Sequence, residues 1–150
     1  MELLPPLPCM NASLRRAARA VSQSYETEFR TARMRATQFT LLEVIKAQEG
    51  ITQRVLGQLL ALDSTTLSRT LAPLEQRGWM RSLPGADRRE RRLLLTPSGR
   101  RQLDRARPHW ERAQEQMRKR LGASAWEQVM AALLRVTRAM QESKRLTAGP

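Results

Sequence analysis

Ser64, Thr65, Thr66, Ser68 and Arg69 place four hydroxyls and one guanidinium within six positions of the stretch "DSTTLSRTLAPLEQRGW", residues 63–79. A hydroxyl both donates and accepts, and threonine adds a methyl. Side chains this small let a helix backbone come close to base edges in a major groove, where bulkier residues would hold it away. A threonine methyl can meet a thymine methyl, and Arg69 has the length for a bidentate contact to guanine or for a phosphate. A second cluster lies downstream, where residues 81–107 carry nine Arg against Asp87, Glu90 and Asp104. Within it "DRRERR" groups Asp87, Arg88, Arg89 and Arg91. On a hairpin tip, such arginines suit a narrow minor groove and its concentrated negative potential. Singly, a hydroxyl-rich helix start also serves as a solvated cap, and an arginine run as a solvated face. Their succession along one motif points instead to double-stranded DNA.

Other chemistry has little material. Cys9 is the only cysteine, which excludes an internal disulfide and fits a reducing compartment. It precedes a helix start and lies near Arg15 and Arg16, two features that lower a thiol pKa, so it is the one redox candidate. His109, the only histidine, sits between Pro108 and Trp110 in a helical stretch and reads as structural. There is no glycine-rich phosphate loop, no Cys/His metal spacing and no nucleophile elbow. The expectation is a non-enzyme with no cofactor, no metal and no catalytic residue.

Charge and composition agree. The formal net charge is +13, and of 27 basic residues only Lys46, Lys119 and Lys144 are lysine. Such a field suits a polyanion. No basic segment is an amphipathic helix with a large aromatic face, and no apolar run reaches the roughly 18 residues that span a bilayer, so a membrane is not the expected partner. The opening "MELLPPLPCM" lacks the basic and long apolar regions of a signal peptide. A cytoplasmic protein is expected. With 41% hydrophobic but only 4% aromatic residues, its core gains from a partner subunit.

The elements that must position these residues follow from periodicity. Leu14, Ala17, Ala18, Val21, Tyr25 and Phe29 repeat at helical spacing, with Asn11 or Ser13 as cap. Residues 37–49 form a second helix capped by Thr37, and Gly50 stops it. A third runs from its cap Thr52 to about Ala61. Asp63 then caps a fourth that buries Leu67, Leu71 and Leu74 and ends at Gly78. "WMRSL" and "RRLLLT" read as two strands joined by the turn containing "PGADRRE". Thr96 and Pro97 start a helix that reaches Gly122 and should bend at Pro108. "SAWE" (124–127) is a capping box opening a last helix, whose Trp126, Val129, Met130, Leu133, Leu134, Thr137 and Met140 share one face. The methionines at helical spacing, Met117, Met130 and Met140, are core or dimer packing. The fold class is therefore mainly α with a small β-hairpin wing. The apolar faces of 14–29 and 126–140 have nothing in the middle third to cover them, which predicts a homodimer.

The stretch "LGQLLALDSTTLSRTLAPLEQRGWMRS" followed by "DRRERRLLLTPSGR" resembles the MarR family of bacterial transcriptional regulators. The family's Leu-Glu-x-x-Gly is matched by Leu74, Glu75 and Gly78, its Asp-x-Arg wing by Asp87 and Arg89, and its Leu-Thr-x-x-Gly by Leu95, Thr96 and Gly99. The likeness extends over nearly the whole chain. It implies a single chain, 1–150, with a winged helix-turn-helix over 36–100 and dimerisation helices over 11–30 and 101–145. It also implies base reading by Thr65, Thr66, Ser68 and Arg69, a minor-groove Arg89, and Asp87 steadying the wing. Pro73 lies beyond the reading residues and bends the helix end. A ligand-responsive repressor on a pseudo-palindromic operator is the implied function, with a small-molecule effector that the sequence does not identify. Two alternatives stand beside it. A sequence-indifferent architectural protein would bind any DNA. A thiol-based peroxide sensor would use Cys9, since one branch of the family carries a reactive cysteine at the start of the first helix. Cys9 lies about two residues further from Tyr25 than in that branch, and Phe39 stands where those sensors have a tyrosine.

Overall fold

The computed structural model describes residues 8–85, 87 and 90–147, the last five by backbone alone. Six helices and a hairpin follow in the order α1 (Met10–Phe29), α2 (Ala36–Ala47), α3 (Gln53–Leu60), α4 (Ser64–Gln76), β1 (Met80–Pro84), β2 (Arg91–Leu95), α5 (Pro97–Leu121) and α6 (Ala123–Thr147). The strands pair antiparallel, from Met80 against Leu95 to Pro84 against Arg91. The expected fold class is the observed one. Among the described residues, no helix is long and apolar enough to cross a membrane.

One core holds the middle of the chain together. Phe29, Phe39, Leu42, Ile45, Leu56, Leu67, Leu74, Leu93 and Leu103 are completely buried. They come from α1 to α5 and from β2, so α3, α4 and the hairpin share their hydrophobic support with the helices on either side. Each such side chain contributes about 1.5–3 kcal/mol by leaving water. Phe39 anchors the aromatic part, edge-on to Phe29 at 5.6 Å and stacked on Trp110 at 5.9 Å. This corrects one expectation. The C-terminal end of the α1 stripe is not left bare, because Phe39 of α2 and His109 of α5 pack against Phe29. Tyr25 is also closed over, its hydroxyl donating to Gln114 of α5 at 2.9 Å, and burial raises its pKa above the ordinary tyrosine value.

Three caps differ from expectation. α1 starts at Met10 with Cys9 as its cap, so Asn11 and Ser13 lie inside the helix. α2 is capped at Arg35, not Thr37. Its first amides find the Gln38 side chain (Arg35 N to Oε1, 3.0 Å) and Glu26 of α1 (Ala36 N to Oε1, 3.1 Å). The Ser124 capping box does not form. α6 starts at Ala123, two residues before the start that a Ser124 cap would give, Trp126 N–H donates to the Gly122 carbonyl, and the Ser124 hydroxyl accepts from Gln128 at 3.3 Å. Thr52, Asp63 and Thr96 cap as expected. α5 is continuous through Pro108.

Candidate nucleic-acid interface

The roll of α4 is set by Leu67, Leu71 and Leu74, which are buried at helical spacing. At 3.6 residues per turn, Thr65 and Arg69 then lie opposite the buried stripe, with Ser68 on one flank and Thr66 on the other. All of these, and Ser64, are exposed. Asp63 fixes the helix start: its Oδ1 accepts from Thr66 N–H at 2.8 Å and its Oδ2 from the Thr66 hydroxyl at 2.6 Å. Those bonds, the side-chain one foremost, hold the Asp63 carboxyl below the ordinary aspartate pKa. On the other flank, Gln53 Nε2 donates to Ser68 Oγ at 2.7 Å. Gln53 opens α3, so the two helices of the helix-turn-helix are joined by side chains on the outer surface as well as through their leucines.

The turn between them is compact. Ala61 closes α3 with a left-handed backbone, φ 53°. At Gly57 a Cβ would come within 3.1 Å of the Leu62 carbonyl oxygen and 3.4 Å of Leu67 Cδ2, so the missing side chain lets α3 and α4 approach.

The wing is tied to both helices. Leu93 N–H donates to the Ile51 carbonyl at 2.9 Å, and Thr52 bridges to Arg92, which seats β2 beside the start of α3. Glu75, at the end of α4, accepts from both the backbone N–H (3.1 Å) and the hydroxyl (2.8 Å) of Ser82 in β1. The Ser82 oxygen in turn accepts from Arg91 Nε at 3.0 Å and from Arg91 Nη2. Arg91 is therefore engaged at the end of the ladder next to the turn while remaining exposed. At the turn, Glu90 N–H donates to the Asp87 carbonyl (2.9 Å) and Gly85 N–H to the Glu90 carbonyl (2.8 Å). Arg54 Nη2 lies 3.9 Å from Glu90 Oε1, an exposed pair of little energetic weight. Arg88 and Arg89 lie outside the described residues.

The two sequence clusters meet at their edges, through Ser64 alone of the α4 candidates. Ser64 of α4 and Asp87 and Arg91 of the wing border one open hollow of about 950 Å³, together with Gln53 and Arg54 of α3. Gln141 of α6 also lines it, donating to the Gln58 carbonyl at 2.8 Å. Gln53, Arg54 and Ser82 were not singled out from sequence, and Glu75 only as a motif residue with no role assigned. The first two could have been, because the start of the first helix of a helix-turn-helix lies beside the DNA backbone. Glu75 and Ser82 act on each other, a pairing that only the folded hairpin brings together.

The remaining candidates stand apart. His109 Nδ1 is 2.8 Å from the Glu28 carbonyl oxygen and its ring lies against Phe29, so it joins α5 to α1. Cys9 is exposed at the start of α1, where its carbonyl accepts from Ser13 N–H at 3.0 Å. Among the described residues no three of His, Cys, Asp and Glu converge where a metal ion could sit.

The arrangement has counterparts. The sequence profile of the MarR family matches residues 34–90. The structure of the Mycobacterium tuberculosis transcriptional regulator MosR in complex with DNA is 31% identical, covers 90% of this chain and 98% of that one, and superposes with a TM-score of 0.81. PcaV of Streptomyces coelicolor, solved with its natural ligand, is 23% identical, covers 93% of this chain and 99% of its own, and has a TM-score of 0.79, which is a likeness of fold. YwoH of Bacillus subtilis (strain 168), an uncharacterised HTH-type transcriptional regulator, is 24% identical over 83 residues, or 55% of this chain, and the match spans 61% of that protein's length. A hydroxyl-faced helix seated beside an anchored wing, together with these matches, shows that the chain belongs to the MarR family of winged helix-turn-helix transcriptional regulators.

Proposed function

We propose that the chain is a sequence-specific, effector-responsive repressor that binds a pseudo-palindromic operator as a cytoplasmic homodimer. The observation that carries this reading is the outward face of α4. Thr65 and Arg69 point away from the core, Ser68 and Thr66 flank them, and the wing is locked to the same helix through Glu75 and Ser82. MosR, solved with DNA, supports the partner. The dimer rests on apolar surface left open on α1 and α6: Leu14, Val21, Val129, Met130, Leu133, Leu134 and Met140 are all exposed in the single chain. A small-molecule effector is supported by the contact of Gln141 with Gln58, which joins α6 to the helix-turn-helix beside an open hollow. A ligand wedged there would alter the spacing of the two recognition helices, and groove-to-groove spacing of about 34 Å tolerates little error.

Selection of bound sequences from a random DNA pool tests the reading. The expected product is a motif of two inverted half-sites about one helical turn apart. Recovery of DNA without an enriched motif would leave a sequence-indifferent architectural protein in its place.

A further inference from the structure

The hydroxyls of α4 are polarised in opposite senses by their neighbours. Thr66 donates its proton to Asp63 Oδ2, and Thr70 donates to the Thr66 carbonyl at 2.8 Å. Both therefore present lone pairs and a methyl. Ser68 is the reverse, because it accepts from Gln53 Nε2 at 2.7 Å. Thr27, Thr40, Thr70 and Thr137 each donate to the carbonyl four residues back. Ser68 does not, and among the described residues no acceptor takes its proton.

The geometry points to Gln53 as a positioning residue for base choice. By donating to Ser68 Oγ it leaves that hydroxyl with its proton facing outward, so Ser68 meets DNA as a donor. This rests on the reading of α4 as the base-contacting helix. The base edge that best matches Ser68 is then one that offers an acceptor for its proton: guanine N7 or O6, adenine N7, or thymine O4. An exposed amino group, cytosine N4 or adenine N6, would have to share the Ser68 oxygen with Gln53 and would leave the Ser68 proton without an acceptor. The pairing of Gln53 with Ser68 is held in register from below. Thr52 caps α3 through Val55 N–H at 3.2 Å, Leu56 and Leu67 are fully buried, and Gly57 admits the close approach of the two helices.

The test selects DNA from a random pool with the parent, Ser68→Ala, Gln53→Ala, Gln53→Glu and the double alanine variant, each first checked for a thermal transition like the parent's. Ser68→Ala and Gln53→Ala should relax preference at the same single position of each half-site. Each should lose affinity about five- to tenfold, the worth of one net hydrogen bond, and the double variant should lose no more than either. Gln53→Glu is the sharper probe, since a carboxylate only accepts. Ser68 would then turn its proton inward and present lone pairs, moving the preferred base at that position from an acceptor edge to an amino edge. A Gln53→Ala protein that keeps the parent's preference at every position, or loses affinity evenly on all sequences, overturns the proposal. A Gln53→Glu protein with unchanged preference does so as well. A parent that enriches no motif overturns the operator reading itself, an outcome the first comparison separates from the others.

Discussion

The Cβ that Gly99 lacks would stand 1.9 Å from the carbonyl oxygen of Trp79, so the first turn of α5 rests directly on the residue leading into the wing. Thr96 completes the junction. Its N–H donates to the same Trp79 carbonyl at 3.1 Å, and its hydroxyl donates to the Gly78 carbonyl at 2.6 Å while accepting from Gly99 N–H at 3.0 Å. The end of α4, both strands and the start of α5 thus meet at two residues of one short motif. The obstacle to a side chain at 99 is backbone, which cannot rotate away. Gly99→Ala should cost about 3 kcal/mol, the upper end for overpacking, with Thr96→Ala costing about 0.5–2 kcal/mol as a lost cap. Urea unfolding measures both, and a Gly99→Ala midpoint equal to the parent's would contradict the junction.

Open apolar side chains on α1 and α6 carry the dimer prediction. Burying one large aliphatic side chain contributes about 1.5–3 kcal/mol, and Val129, Leu133 and Leu134 lie together at helical spacing with 42–51% of their surface exposed in the single chain. The intact protein should sediment as a dimer at micromolar concentration. Leu134→Arg combined with Val129→Glu should sediment as a monomer that keeps its helical signal, since neither residue belongs to the chain's own core. A monomeric parent would show that these faces are not an interface between copies.

How much of this was legible in the sequence depended on where each hydrogen-bond partner lay. Thr52, Asp63 and Thr96 cap helices through amides three residues on, so local pattern was enough to find them. The cap of α2 uses Glu26, ten residues back on another helix, and local reading chose Thr37 instead. The same distinction runs through the interface. Leu67, Leu71 and Leu74 fix the roll of α4, so the outward hydroxyls could be read from spacing. What those hydroxyls do is set by Gln53 and Asp63. Only Asp63 lies close enough in sequence to have been noticed.

Arg69 and Arg89 should fail in different ways when replaced. Arg69 stands on the outward face of α4, where the major groove distinguishes every base pair. Arg69→Ala should cost about 1–3 kcal/mol of binding and relax preference at one position per half-site. Arg89 belongs by its motif to the wing, and the minor groove encodes little beyond A·T against G·C. Arg89→Ala should weaken binding with little change in the preferred core. It should also flatten the salt dependence by about one unit of slope for each phosphate neutralisation that the substitution removes. Titrations against operator and scrambled DNA at several salt concentrations separate the two. Equal, modest losses from both would mean that α4 does not read bases.

Asp63 makes the start of α4 sensitive to acid. Bonds from Thr66 hold its folded-state pKa below that of an unfolded aspartate. A depressed carboxylate contributes stability that is fully present above the unfolded pKa and is lost as pH falls through the folded one. The first turn of α4 should therefore be intact from neutral pH down to about pH 4 and fray below it. Asp63→Ala should show the frayed state at every pH. Amide exchange at Thr66 reports it, and a rate in the parent that stays unchanged from pH 5 to pH 2.5, after correction for intrinsic exchange, would count against the cap.

Cys9 should be dispensable. A thiol sensor needs a stabilised oxidised product and a route from it to the DNA-binding helices. The chain has no second cysteine, so a sulfenic acid could be resolved only by the other subunit or by a small thiol. The hydroperoxide-sensing branch of the family places a tyrosine where this chain has Phe39. That ring has no hydroxyl and is 2% exposed, packed between Phe29 and Trp110. Cys9 itself is exposed and makes no side-chain cap bond to α1, so serine, a better capping residue, preserves the helix start. Cys9→Ser should bind operator DNA like the parent, and mild organic hydroperoxide should release neither. Binding titrations of both proteins with and without peroxide decide it. Release of the parent that reductant reverses and Cys9→Ser abolishes would make this a thiol-based regulator, with the exposed sulfur acting between subunits.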